Sequence, residues 1–227
     1  MNFSTSISKS FQTDILIIGS GSAGAVAAIA AANPKYKVTI VERYGFPGGS
    51  STQMLDTFYG FFTPADTPKK IIGGIPDLIV NELHKSGDIF LRPNTYGAGT
   101  GVNYNPEKLK EVWDRLLQKN NIQTIYHSTL VGIKSIHETA TCVFFNKGIG
   151  FFTIEAKRII DASGDADYCH IAGIPYEKAG ELEPAQSMTT TFRMSNVDLK
   201  EFDAAGGKKM MQERMLTAYE TGSHPLP

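Results

Sequence analysis

Cysteine is scarce in this sequence, and its spacing matches no paired-cysteine motif. Cys142 and Cys169 are the two cysteines, and they form no C-x-x-C motif. This scarcity excludes a disulfide-rich secreted scaffold and a zinc site built from thiolates. It is typical of a reducing compartment, where each cysteine is expected to be a small buried apolar residue. The five histidines are scattered without H-x-x-x-H spacing, so we predict no metal site.

Excess charge and long apolar runs are also missing. A formal net charge of −1 gives no general attraction to nucleic acid or to a membrane surface. No apolar run is long enough to cross a bilayer. Residues 1–13 are polar, contain no arginine and have no apolar stretch of signal-peptide length. We therefore predict a disordered lead over residues 1–13, in a cytoplasmic protein with no nucleic-acid partner and no membrane span.

The strongest signal that is present lies in residues 14–42. Residues 15–18 are a continuous apolar run, as expected of a parallel strand that is covered on both faces. Three glycines then stand in G-x-G-x-x-G register: Gly19, Gly21 and Gly24. An alanine-rich helix over 22–32 and a second apolar strand over 38–41 complete a predicted βαβ unit.

Each part of this unit suits a dinucleotide. The first glycine allows a sharp turn, the second brings the backbone close to a pyrophosphate, and the third lets the helix pack on the strand. The N–H groups that begin the helix would point at the phosphates. Glu42, after the second strand, lies where an acid accepts hydrogen bonds from the adenosine ribose. The alternative is a βαβ unit whose glycines serve only a tight turn.

A second glycine-rich loop, RYGFPGGSST, covers residues 43–52. It leaves the carboxyl end of a predicted parallel strand, which is where ligands bind in open α/β sheets. Gly48 and Gly49 would let backbone N–H groups approach a ligand, and Ser51 adds a hydroxyl group. The alternative is an ordinary loop whose serines cap the next helix.

The remaining pattern predicts helices and strands around this unit. Helices are expected over 75–85, from Asn105 onward, over 166–172 and over 209–219. Strands are expected over 122–126, 130–136, 141–146, 151–155, 158–163 and 188–194, with those between 130 and 155 forming a β-meander. Residues 88–103 are rich in glycine and are expected to be irregular.

Two glycine-containing motifs together carry a family resemblance. The second loop, VERYGFPGGSST, and the later segment DASGDADYCHIAGIPYE resemble FAD-dependent oxidoreductases of the glutathione-reductase-like FAD/NAD(P)-binding superfamily. The greatest similarity is to the branch near the succinate dehydrogenase and fumarate reductase flavoproteins. The resemblance implies FAD as cofactor. It also implies an α/β Rossmann-like fold with a parallel sheet, a crossing three-stranded β-meander and a partial substrate domain.

The resemblance further implies where FAD would bind. The residues that it assigns to the cofactor are Gly19, Gly21, Ser22, Ala23, Gly24, Glu42, Arg43, Gly48, Gly49, Ser51, Val131, Gly164 and Asp165. The first motif would hold the ADP half, and Val131 would contact adenine through its backbone. Gly164 and Asp165 would lie near the pyrophosphate and the ribitol. Taken alone, Asp165 is equally well explained as a helix N-cap. No catalytic acid or base is identified.

The expected organisation is an FAD domain over 14–180, with an insertion at about 60–104, and the start of a substrate or cap domain over 181–227. Proteins of this family usually run longer, so the sequence predicts a chain truncated at its C-terminus. The apolar positions Met211, Met215 and Tyr219 would then be open to a second copy or a partner subunit. We expect the isolated chain to bind FAD weakly, to self-associate and to turn over little.

The function that this pattern favours is flavin-mediated hydride transfer from a small-molecule substrate. Two alternatives stay open. One is an NAD-dependent dehydrogenase, in which Gly48, Gly49 and Asp165 are mere turn and cap residues. The other is a truncated flavoprotein fragment or subunit without catalysis.

We predict that Gly21→Val prevents FAD binding while leaving the secondary-structure content nearly unchanged. A side chain at the closest approach to the pyrophosphate would collide with it. Circular dichroism and the flavin content of the purified variant measure the two halves of this prediction. Flavin retained by the variant would contradict it.

Overall fold

The computed structural model describes residues 6–54, 58–63, 67, 69–93, 100–136, 138–186 and 188–223. The chain packs as two units, residues 1–189 and residues 190–227. The elements of the first unit are β1 (Lys9–Ile18), α1 (Ser22–Ala31), β2 (Val38–Val41), α2 (Ser50–Gln53), β3 (Phe58–Tyr59), α3 (Ile75–Lys85), β4 (Ile89–Pro93), β5 (Thr100–Tyr104), α4 (Pro106–Lys119), β6 (Gln123–Ile125), β7 (Ser128–Ile136), β8 (Ala140–Asn146), β9 (Gly150–Asp161) and α5 (Asp167–Ala172). Those of the second unit are α6 (Leu199–Ala204) and α7 (Gly207–Glu220).

The main sheet of the first unit has six strands in the order β6-β2-β1-β9-β8-β7. Strands β6, β2, β1 and β9 run parallel to their neighbours in this order. Strand β8 is antiparallel to both of its neighbours, β9 and β7. Strand β1 therefore pairs with β2 on one side and with β9 on the other. This arrangement confirms the predicted α/β fold with a parallel sheet and a crossing β-meander.

Strand β9 joins the meander to the parallel sheet. The sequence predicted two strands here, over 151–155 and 158–163, but the structure has one strand of 12 residues. Its first half pairs with β8 and with the start of β1 at the same time, so that Phe152 stands between Phe144 and Lys9. Its second half pairs with β1 alone up to Asp161. Ala156, between the two predicted strands, pairs with both Ala140 and Thr13, so the strand continues through this position.

The same pairing corrects the predicted N-terminal lead. Strand β1 begins at Lys9, because residues 9–13 form parallel pairs with β9 from Phe152 to Ala156. The polar composition of this segment reflects its exposure at the strand's beginning and not disorder. Residues 1–5 lie outside the described residues.

A second, antiparallel sheet has the strand order β3-β5-β4. It contradicts the prediction that residues 88–103 are irregular, since β4 pairs with β5 from Ile89–Tyr104 to Pro93–Thr100. Glycine-rich composition hid these strands, whose inward residues Val102 and Tyr104 are buried. Residues 94–99 lie outside the described residues.

Apolar residues on both faces of the main sheet form two cores. On one face, Ile17 packs with α1, α3 and α4, including Trp113. On the other face, Leu16 and Ile18 pack with β8, β9 and the buried Tyr168 of α5. The continuous apolar run of β1 is thus covered on both faces, as predicted.

The second unit contains the predicted C-terminal helix as α7. Helix α6 begins at the N-cap Asp198, whose carboxylate accepts hydrogen bonds from the backbone N–H groups of Lys200 and Glu201. Residues 188–194 were predicted to be a strand, but they form neither helix nor strand. The polar and apolar residues alternate there, but no strand among the described residues pairs with this segment to form the ladder hydrogen bonds that a strand requires.

Candidate functional site

A cavity of about 500 Å³ lies at the carboxyl ends of β1, β2 and β9. We call it the strand-end cleft. Its walls include the last residues of these strands or those just after them: Ile18, Val41 and Ala162. Its volume falls within the roughly 300–1,000 Å³ that is usual for ligand sites. The position is also the expected one for a ligand. After β1 the chain continues to β2 on one side, whereas β9 pairs with β1 on the other side, and ligands bind where the strand order reverses in this way.

Most of the residues predicted to bind the cofactor line this cleft. They are Gly19, Gly21, Ser22, Ala23, Glu42, Arg43, Gly49, Ser51, Gly164 and Asp165. The folded chain therefore brings together three segments that are far apart in sequence. Gly24, Gly48 and Val131 lie outside the lining.

The three residues outside the lining have different surroundings. Gly24 packs under the first turn, where a Cβ would stand 2.0 Å from the carbonyl oxygen of Gly19. Gly48 donates its backbone N–H to the carbonyl of Ser20 at 2.8 Å. Val131 is 47% exposed and sits at a β-bulge in the β7–β8 pairing, next to the lining residue Leu130. Gly24 thus has the helix-packing role that the sequence assigned to the third glycine.

The turn after β1 requires glycine at its first position. Gly19 has a φ of +95°, in the left-handed region, and a Cβ there would lie 2.3 Å from the carbonyl oxygen of Ala162. Its N–H donates to the carbonyl of Val41 at 2.8 Å. The turn is therefore wedged between the ends of the two neighbouring strands.

The first glycine motif and the second glycine-rich loop touch each other directly. Gly21 and Gly48 form an isolated parallel bridge. Gly49 has a φ of +55°, and a Cβ on it would lie 2.8 Å from the Cα of Gly21. Two loops predicted separately as ligand contacts thus form one continuous backbone surface.

The N-terminus of α1 opens onto the strand-end cleft. Its N-cap is Gly21, with no side-chain cap and no acidic residue in the first turn. Gly21, Ser22 and Ala23 all line the cleft. The first N–H groups and the positive end of the helix dipole are therefore available to an anionic ligand.

Glu42 is buried and holds two loops together. Its Oε2 accepts hydrogen bonds from the backbone N–H and the hydroxyl group of Ser20, at 2.7 and 2.9 Å. Its Oε1 accepts from the backbone N–H of Tyr44 at 2.8 Å. A carboxylate has about four acceptor positions, so these bonds leave room for about one more. Glu42 thus crosslinks the loops after β1 and β2 in addition to lining the cleft.

A small hydroxyl network borders the same loops. The Ser22 and Ser51 hydroxyl groups are 3.2 Å apart, and the Tyr59 hydroxyl lies 3.5 Å from that of Ser22. Tyr104 donates to the carbonyl of Ser51 at 3.2 Å, and its ring contacts that of Tyr59 with centroids 4.6 Å apart. Neither tyrosine was predicted as a site residue, because their link to the cleft arises from the second sheet.

Asp165 and its neighbours form the opposite wall of the cleft. The N-cap of α5 is Ala166, without a side-chain cap, so the alternative reading of Asp165 as that cap is wrong. Asp165 is exposed, and within the described part of the chain its carboxylate has no hydrogen bond or ion pair. It is therefore free to accept hydrogen bonds from a ligand.

Arg43 is the one cationic residue among the described residues that line the cleft. Its guanidinium lies 5.1 Å from the centroid of the Tyr44 ring, which also lines the cleft. The cation–π contact restricts an otherwise exposed side chain. Ser128, Thr129 and Leu130 were not predicted as site residues, because only the folded sheet brings the start of β7 beside the second glycine-rich loop. Tyr44 lies in that loop and was also not predicted as a site residue.

The cysteines show no catalytic arrangement in the structure. Cys142 is fully buried, and burial raises the pKa of its thiol to about 12. It is a small core residue, as predicted. Among the described residues, no group of three or more His, Cys, Asp or Glu side chains could hold a metal ion. No helix within the same residues has the length and apolarity needed to span a membrane.

The fold and the cleft define a dinucleotide-binding protein of the Rossmann-like class. A sequence model of the family described as "FAD dependent oxidoreductase" matches residues 14–225. Since this match spans most of the chain, the protein belongs to the FAD-dependent oxidoreductase family. FAD is the cofactor that this family implies. No curated protein matches the chain.

Solved structures share the fold at low sequence identity. The p-nitrophenol 4-monooxygenase of Pseudomonas putida is 12% identical over 73% of this chain and 44% of its own, with a TM-score of 0.51. A flavoprotein/dehydrogenase of Cytophaga hutchinsonii is 18% identical over 71% of this chain and 42% of its own, with a TM-score of 0.50. The anhydrotetracycline hydroxylase OxyS of Streptomyces rimosus is 11% identical over 72% and 34%, with a TM-score of 0.51. The chain thus spans less than half the length of each.

The residues of the cleft fit the ADP half of FAD. Two glycine loops in backbone contact leave space that side chains would fill, and the uncapped N-terminus of α1 offers N–H groups to a pyrophosphate. One carboxylate, Glu42, lies at the end of β2 as ribose recognition requires.

We predict that Glu42→Gln lowers both the stability of the apoprotein and its affinity for FAD. The amide group places a donor against the N–H groups of Ser20 or Tyr44, so the free energy of unfolding should fall by about 1–3 kcal/mol. FAD binding should weaken by about 1–3 kcal/mol through the lost charged acceptor. Urea denaturation and flavin titration measure the two effects.

Glu155→Gln is the matched control. Glu155 accepts from the hydroxyl of Thr139 at 2.9 Å and lies on β9, outside the strand-end cleft. It should leave FAD affinity unchanged. A Glu42→Gln apoprotein as stable as the parent would show that the loops after β1 and β2 do not need the carboxylate.

Proposed function

We propose that this chain binds FAD in the strand-end cleft and acts in flavin-mediated hydride transfer from a small-molecule substrate. The observation that carries the proposal is the direct contact of Gly21 with Gly49, at the uncapped N-terminus of α1. A dinucleotide needs the first of these loops for its pyrophosphate. The second loop extends the same backbone surface away from the ADP half.

The proposed FAD contacts follow from the chemistry of each group. Gly21, Ser22 and Ala23 would donate backbone N–H groups to the pyrophosphate, assisted by the dipole of α1. Glu42 would offer its remaining acceptor position to the adenosine ribose. Val131, beside Leu130, would approach the adenine through its backbone.

Gly49, Ser51, Gly164 and Asp165 would extend the contacts towards the ribitol, and Arg43 would add positive charge near the phosphates. Gly24 packs against Gly19, and Gly48 donates its backbone N–H to the carbonyl of Ser20, so both residues stabilise the same loops.

When bound, FAD supplies an isoalloxazine ring that accepts a hydride, and the protein's contribution is to bind and orient it. The chain's own part, in this proposal, is electrostatic and geometric. Helix α1 and Arg43 stabilise the negative pyrophosphate, while the glycine loops fix where the cofactor enters. The substrate would meet the flavin beyond the second glycine-rich loop.

An NAD-dependent dehydrogenase remains the second candidate, because NAD contains the same ADP half. It would need only the first glycine motif and Glu42. The free carboxylate of Asp165 on the far wall and the contact between the two glycine loops favour FAD, which has more polar groups to bind on that side.

The finer organisation is proposed on the same basis. An FAD domain over 14–180, with an insertion at about 60–104, would precede a substrate or cap domain over 181–227. The motif pattern supports a place near the succinate dehydrogenase and fumarate reductase flavoproteins. Two free thiols favour a cytoplasmic location. The exposed Met211 and Met215 of α7 are candidates for contact with a second copy or a partner subunit.

The function is tested by its cofactor. The purified chain should show flavin absorption, or gain it on titration with FAD, and NAD should compete poorly. Tight binding of NAD with no binding of FAD would replace this proposal with the dehydrogenase alternative. Binding of neither would remove both.

We predict that Asp165→Ala lowers the affinity for FAD more than it lowers the thermal stability of the apoprotein. Its carboxylate is exposed and unpaired within the described residues, so its removal breaks no internal bond. A helix-capping role would give the reverse, a stability loss of about 1 kcal/mol with binding spared. Flavin titration and thermal denaturation of the one variant measure the two effects, and a loss of stability with unchanged affinity would contradict the prediction.

A further inference from the structure

Asp161, the last residue of β9, holds the loop that follows it at both ends. Its Oδ1 accepts hydrogen bonds from the backbone N–H and the hydroxyl group of Ser163, at 3.1 and 2.7 Å. Its Oδ2 accepts from the backbone N–H of Cys169, in the first turns of α5, at 3.0 Å. The carboxylate therefore ties the start of the loop to the helix after it.

Ser163 connects Asp161 to the first residue of α5. Because its hydroxyl donates to Asp161, its oxygen is oriented to accept the backbone N–H of Asp167, at 2.9 Å. The residues enclosed by these bonds, 164–166, include two that line the strand-end cleft. They also include Ala166, whose φ of +57° is unusual for a residue with a side chain. A conformation of this kind persists where surrounding bonds hold it.

The carboxylate of Asp161 is matched to its donors. Burial alone would raise its pKa, but the hydrogen bonds from Ser163 and Cys169 outweigh burial and hold the pKa below its usual range. An ionised carboxylate accepts from all three donors without offering a proton in return. Replacing the carboxylate with a neutral group places a donor against at least one of these three donors, which is unfavourable.

Glu42 repeats this arrangement on the other wall of the cleft. It follows β2 as Asp161 ends β9, and it accepts both the N–H and the hydroxyl group of a serine, Ser20. The loops that follow β1, β2 and β9 are thus fastened by carboxylates at the ends of parallel strands. Asp161 differs in lying outside the cleft lining. Its link to the cleft is through the loop, of which Ser163, Gly164 and Asp165 line the cleft.

We infer that Asp161 is a positioning residue, which through Ser163 fixes the loop carrying Gly164 and Asp165 in the shape that FAD binds. The inference rests on the proposed function. Asp161→Asn should weaken FAD binding by about tenfold or more, the effect of losing one strong hydrogen-bond partner. Amide hydrogen exchange of residues 163–169 should become faster, while exchange in β1 and β9 stays unchanged.

Variants of Ser163, which itself lines the cleft, test whether Asp161 acts through this residue. Ser163→Ala removes the hydroxyl and should weaken FAD binding as Asp161→Asn does. Ser163→Thr keeps the hydroxyl and should restore affinity close to that of the parent chain. Because the two residues act in series, the double variant Asp161→Asn/Ser163→Ala should lose much less than the sum of the single losses.

Asp14→Asn is the matched control. Asp14 also accepts hydrogen bonds at both oxygens, from Lys157 at 2.7 Å and from the backbone N–H of Lys37 at 2.8 Å. Asp14 lies in β1, one residue before the first residue that pairs with β2, and therefore at the end of this pairing away from the strand-end cleft. Asp14→Asn should lower the melting temperature and leave FAD affinity unchanged.

The outcomes distinguish the inference from the function on which it rests. If the parent chain binds FAD and Asp161→Asn binds it equally well, the positioning role is wrong and the function stands. If both Asp161→Asn and Asp14→Asn weaken binding in proportion to lost stability, Asp161 is merely structural. If the parent chain binds no FAD, the proposed function itself fails.

Discussion

The candidate site depends on the pairing of one strand, β1, with a parallel neighbour on each side. Because β2 and β9 both run alongside it, three strand ends meet at one edge and three loops converge there. Gly19 sits at the meeting point, bonded to Val41 and pressed against Ala162. Any side chain at this position would separate the strands. The cleft, the exposed N-terminus of α1 and the contact between the glycine loops all follow from this junction.

Carboxylates then fasten the loops that the pairing brings together. Glu42 and Asp161 each accept three hydrogen bonds from loop N–H and hydroxyl groups. Such charge-assisted bonds suit residues that must stay in place while a ligand enters. Hydrogen bonds from neutral N–H and O–H groups stabilise these two carboxylates without cancelling their charge, and the dipole of α1 supplies the opposite sign beside the proposed pyrophosphate.

Much of the fold and part of the site could be read from the sequence. The apolar run of β1, the glycine register and the start of α4 next to Asn105 depend on neighbouring residues alone, so local pattern predicts them correctly. Strand β9 and the second sheet were misread, because their pairing with distant strands overrides local composition. Asp161 was read as part of a strand, and its role needs the fold, since nothing local says that Cys169 returns to it.

We propose that FAD binds where β1, β2 and β9 end. Hydrogen–deuterium exchange of the purified chain with and without FAD tests it most directly. We predict protection of peptides covering residues 19–24, 43–52 and 163–167, with little change elsewhere in the sheet. Protection confined to other surfaces, such as the groove beside Lys37 and Lys134 near the opposite end of β1, would contradict it.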